Sequence, residues 1–118
     1  MKNAGDGIVA LARESESILP TLFHWLHHTN GTIRSIAVRA LGTAKSQTNS
    51  IVPALTAALS DPELLVQRQA ALALGNKGAA ARSAIPALLR LMTSRDLAQT
   101  ASNAVFSIDP AALPQRGP

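Results

Sequence analysis

The sequence has no cysteine, no tyrosine and few aromatics: Phe23, Trp25 and Phe106 make up its 3%. Without cysteine there is no disulfide, thiolate zinc site, iron–sulfur cluster or cysteine nucleophile. With so few aromatics the apolar content is aliphatic, mostly Ala and Leu, which favours close-packed helices over a sandwich or barrel. Charge is also sparse, at 15% against 47% hydrophobic residues, a balance that excludes a disordered chain. No apolar run reaches the roughly 18 residues of a membrane span. No basic start followed by a long apolar stretch marks a secretory leader near Met1. The expectation is a soluble, cytoplasmic domain. A chain of 118 residues is one domain, large enough to bury a core.

Eleven basic residues stand against seven acidic ones, a net charge of +4. That excess suits an anionic partner, and equally the solubility of a small domain.

The chain repeats itself. Ser17-Ile18-Leu19-Pro20 recurs as Ser50-Ile51-Val52-Pro53 and as Ser83-Ala84-Ile85-Pro86, both times at a spacing of 33. Leu22, Leu55 and Leu88 follow in register. Ile33-Arg34-Ser35-Ile36-Ala37-Val38-Arg39-Ala40-Leu41-Gly42 recurs at the same spacing, 33, as Val66 to Gly75. The third version, Leu97 to Phe106, arrives two residues early and ends in Phe where the others have Gly.

Each copy reads as two helices, roughly 18–28 and 32–43, 51–60 and 63–75, 84–93 and 96–107. Ser17, Ser50 and Ser83 suit N-caps, with Pro20, Pro53 and Pro86 in first turns, where a missing N–H is harmless. Gly42 and Gly75 suit C-terminal breakers. Asn30-Gly31 and Asp61-Pro62 mark the turns within copies, and Gly75 to Gly78 a turn between copies. The expected core is Leu22, Leu26, Ile33, Ala37, Leu41, Leu55, Leu59, Val66, Ala70, Leu74, Leu88, Met92, Leu97, Ala101 and Val105. Residues 4–16 fit the grid as a worn second helix, and 109–118 read as a frayed tail.

The pattern apolar-Pro-x-Leu, followed by Val/Ile-Arg/Gln-x-x-Ala-x-x-Ala-Leu-Gly, resembles the short HEAT-like repeats, including the phycobilisome-lyase type, over about residues 17–108. The Thr-Pro-Leu-His turn of ankyrin repeats is absent, as is the Trp/Gly/Tyr pattern of tetratricopeptide repeats. The resemblance implies an all-α fold, an α–α superhelix or α-solenoid of about three two-helix repeats (17–49, 50–82 and 83–108). It also implies first helices on the convex face and second helices on the concave one. It is poorly specific for function.

No catalytic set is legible. His24 and His28 share a helix face at a metal-binding spacing, but no third ligand or Glu base accompanies them. Glu14, Glu16, Asp61, Glu63, Asp96 and Asp109 all sit at turns or helix starts, where carboxylates serve the backbone and the helix dipole. Neither a Gly-x-Ser-x-Gly elbow nor a phosphate loop occurs. No enzyme activity, cofactor or metal is expected.

The second helices offer the better surface. Their outward set is Ser35 and Arg39, then Arg68 and Leu72, then Gln99 and Asn103, with Arg34, Gln67 and Gln69 at the flanks. Arg and amides without carboxylates suit an acidic or polar partner. Arg34 is equally suited to an ion pair with Asp61 of the next copy. The expected function is a protein-interaction scaffold. The alternatives are binding of nucleic acid or another phosphate-bearing ligand, or an accessory role in a larger enzyme such as a lyase. End-to-end self-association, or membership of a longer array, is also compatible with the pattern.

Overall fold

The computed structural model describes residues 16–113, and among them there are helices and turns but no strand. Six α-helices form three pairs: α1 (Leu19–Trp25) with α2 (Gly31–Thr43), α3 (Thr48–Ala58) with α4 (Leu64–Lys77), and α5 (Ile85–Leu91) with α6 (Ala98–Ile108). No described helix is long and apolar enough to cross a membrane. The expected partial repeat at 4–16 falls almost wholly outside the described residues.

Local chemistry sets the helix ends. Asn30 is extended, and its side chain accepts the Thr32 N–H at 2.8 Å, capping α2. Asp61 Oδ1 accepts the Glu63 N–H at 2.9 Å ahead of α4. Gly78 ends α4 at φ 60°, ψ −141°, a conformation that only glycine adopts freely.

The first helices start differently from the sequence expectation. Their N-caps are Ile18, Gln47 and Ala84, and none makes a side-chain cap bond, so Ser17, Ser50 and Ser83 do not cap them. Helical turns already precede α1 and α5, at Glu16–Ile18 and Gly78–Ala84. The caps Ile18 and Ala84 themselves have helical backbone angles. Pro20 and Pro86 sit in first turns as expected. Pro53 does not, because α3 begins earlier, at Thr48, and places this proline inside the helix. Pro53 and Asn49, whose carbonyl loses its i+4 partner, are both exposed, so that carbonyl has access to water.

The second helices stack consecutively, α2 against α4 and α4 against α6, while each first helix packs on its own second helix. Leu19, Leu22, Leu41, Ile51, Leu55, Leu74 and Leu88 are fully buried in one continuous core. Truncating any of these to Ala would cost about 2–5 kcal/mol. Of the expected core, Leu26, Ile33 and Met92 are only half-buried, and the rest are buried.

Gly42 and Gly75 lie inside α2 and α4 and do not end them. Their role is close approach. A Cβ on Gly42 would lie 2.6 Å from Ala73 Cβ, and one on Gly75 would lie 3.3 Å from Ala104 Cα. Glycine at these points is what lets consecutive second helices touch.

Candidate interaction face

Two shallow depressions run between successive second helices. Arg39, Thr43, Gln69, Leu72, Ala73 and Asn76 line the first, of about 310 Å³, between α2 and α4. The second, of about 110 Å³, lies between α4 and α6 and is walled by Ala71, Gly75, Thr100, Asn103 and Ala104. Leu72 and Asn76 border both, so they form the ridge between them. They are four residues apart on α4 and therefore share a helix face. Leu72 is 47% exposed, slightly more than Leu64 and Leu65 at the start of the same helix.

Among the expected site residues, Arg39, Leu72 and Asn103 are thus brought to one surface. Arg68 and Gln99 lie one turn before Leu72 and Asn103, outside the depressions. The Gln99 amide donates to Asn103 Oδ1 at 3.0 Å. Ser35 does not belong to the surface. It is buried, 4% exposed, and its hydroxyl donates to the Thr32 carbonyl at 2.7 Å. A short side chain bonded back to its own helix does not reach solvent, whereas the longer Arg68 and Gln99 at the equivalent position do. Gln69 was expected only at the flank, and Thr43 and Asn76 were not in the expected set. Thr43 and Asn76 continue the 35–39 and 68–72 stripes by one more turn, so following the register further would have found them.

Arg34 is committed elsewhere. Its Nε donates to Asp61 Oδ2 at 2.8 Å and its Nη2 to Asp61 Oδ1 at 3.1 Å, a bidentate pair between copies. Its Nη1 donates to the carbonyls of His28 and Thr29 at 2.7 and 3.1 Å. One guanidinium therefore ties the turn of the first copy to the turn of the second. The hydrogen bond to Asp61 raises the Arg34 pKa further. Partial burial pushes the Asp61 carboxyl upward, but the Arg34 hydrogen bond, the Glu63 N–H and the Arg34 charge outweigh it and hold it below its ordinary value. Lys77 makes a second tie between copies, donating from Nζ to the Ala44 carbonyl, and burial lowers its pKa.

On the side of the first helices, an apolar cleft of about 290 Å³ lies between α1 and α3, lined by Phe23, Leu26, Ala54 and Ala57 and bordered by the Arg34–Asp61 pair. Among the described residues, no group of three or more His, Cys, Asp or Glu side chains comes together around the histidines or elsewhere. His28 Nδ1 accepts the Asn30 N–H at 3.0 Å, so it serves the turn.

The family model for HEAT repeats matches residues 19–108. No curated protein and no solved structure matches the chain.

Proposed function

Because the chain belongs to the HEAT-repeat family, we propose that it is a non-catalytic scaffold that binds a partner protein across its second helices. HEAT repeats are commonly protein-interaction scaffolds. The observation that supports this face is the exposed Leu72 on a ridge between two depressions, with Arg39 beside it. An apolar side chain ringed by Arg and amides is the composition of an interface anchor with a polar rim. The test is affinity capture from the source cells with the parent chain and with Arg39→Ala and Arg68→Ala, after nuclease treatment. The expected result is a protein that co-purifies with the parent and is depleted with both variants, each shown to fold by circular dichroism. Capture that persists unchanged with both variants, or disappears on nuclease treatment, defeats the reading.

A further inference from the structure

Independently of that interaction face, we infer that the cleft between α1 and α3 binds a small uncharged molecule, an apolar body with one N–H or O–H donor that hydrogen-bonds to Asp61 Oδ2. The cleft exists because the first helices of the first two copies stand apart. α1 packs on α2 and α3 packs on α4, but α1 and α3 make little contact with each other. α1 has 7 residues against 11 in α3. At the next junction the helical turn Gly78–Ala84 packs on both α3 and α5 and bridges them. The corresponding link before α3, residues 44–47, carries no helical structure.

The walls set the body of the ligand. Phe23, Leu26 and Ala54 are only half-buried, so apolar surface is left facing the cleft. Val38 and Val66 also line it and are buried, so it reaches down to the core. At about 30 Å³ for a water-sized atom, a volume of about 290 Å³ admits roughly ten heavy atoms. The polar end sets the head group. Arg34 and Asp61 neutralise each other in their bidentate pair, so neither a cation nor an anion gains there. Arg34 Nη1 is taken by the His28 and Thr29 carbonyls. Asp61 Oδ1 accepts from both Arg34 Nη2 and the Glu63 N–H. Oδ2 accepts only from Arg34 Nε, although a carboxylate oxygen has room for two donors. With the Asp61 side chain 11% exposed, the cleft it borders is the route by which a second donor reaches Oδ2. His27, exposed, adds one further polar group to the lining.

The experiment is an amide-resolved NMR titration of the whole chain with indole, a compact apolar ring system with a single N–H. The comparison ligands are N-methylindole, which lacks the donor, indoleacetate and tryptamine, which add a charge of either sign, and N-acetyltryptophanamide, which presents the ring as a protein side chain does. The expected result is saturable shifts at Phe23, Leu26, Ala54 and Ala57, with indole binding about tenfold tighter than N-methylindole. Ala54→Leu, whose added carbons occupy the cleft, should abolish the binding, with Ala57→Leu as the substitute if that variant fails to fold. Arg90→Ala on α5 should leave it unchanged. Equal binding of N-methylindole, tighter binding of either charged ligand, shifts centred elsewhere or no saturable shift overturns the inference. Tighter binding of N-acetyltryptophanamide than of indole also overturns it, and assigns the cleft to a side chain of a partner. None of these outcomes bears on the second-helix face, which stands or falls with Arg39→Ala and Arg68→Ala.

Discussion

Arg34 and Asp61, 27 positions apart in sequence, meet through two parallel hydrogen bonds that join the turns of two successive copies. The Asp61 carboxyl is held below its ordinary pKa, so its contribution to stability has a definite pH window. It is complete above the unfolded value, about 3.9, and is lost as pH falls through the lower folded value. Urea midpoints of the parent and of Asp61→Asn should therefore differ at pH 7 and converge toward pH 2. A difference that stays constant across that range would mean the charge on Asp61 contributes nothing.

The two glycine contacts between second helices should respond unequally to the same change. Gly42→Ala puts a Cβ 2.6 Å from Ala73 Cβ and 3.0 Å from its Cα, so the backbone of α4 must move. Overpacking of this kind costs about 1–3 kcal/mol, against a gain in helix propensity of about 1 kcal/mol. Gly75→Ala meets Ala104 at 3.3 Å, which needs only a small adjustment. Its expected effect is near zero. Urea denaturation of the two variants checks the order, and equal losses would refute it.

Gly78 calls for a different pair of substitutions. A Cβ there meets nothing within 4 Å, so any cost of Gly78→Ala is conformational, about 1–3 kcal/mol. At φ 60°, ψ −141° the residue is outside the left-handed helical region that Asn tolerates. Gly78→Asn should therefore lose as much stability as Gly78→Ala. Recovery of stability with Asn would place the backbone elsewhere.

Opposite sides of α4 should also separate cleanly. Ala70 is fully buried, and Ala70→Leu should destabilise by about 1–3 kcal/mol. Leu72, two residues on and 47% exposed, should accept Leu72→Lys within about 0.5 kcal/mol. Thermal melts of the two variants measure this directly, and a large loss with Leu72→Lys would mean the residue is part of the core.

The paired helices and most of the core were legible because a spacing of 33 repeats the same apolar positions three times. The Arg34–Asp61 pair was legible too, as one of two roles open to Arg34. The helix ends were not. Ser17, Ser50 and Ser83 look like caps only if the chain before them is extended, and here helical turns run up to or through them. The start of α3 at Thr48 is set by Gln47 in the left-handed region, which no pattern of residue types announces. Gly42 and Gly75 have the composition of helix breakers, and only the distance to the neighbouring helix reveals a contact role. Ser35 and Arg68 share a register position, yet side-chain length buries one and not the other.

The same glycines give the stack a direction of growth. The first two second helices carry Ala-x-Gly, and each glycine receives an alanine of the helix after it, Gly42 taking Ala73 and Gly75 taking Ala104. Ala73 and Gly75 both perform these roles, so the middle copy has two docking sides that match each other. The last copy has Ala104 but ends in Phe106, whose ring is 60% exposed where the next alanine would land. Units of this kind are therefore not interchangeable. Duplicating the middle copy in place yields a longer stack with every second-helix contact preserved. Appending a copy after α6 sets an alanine against an aromatic ring, and needs that ring replaced by glycine first.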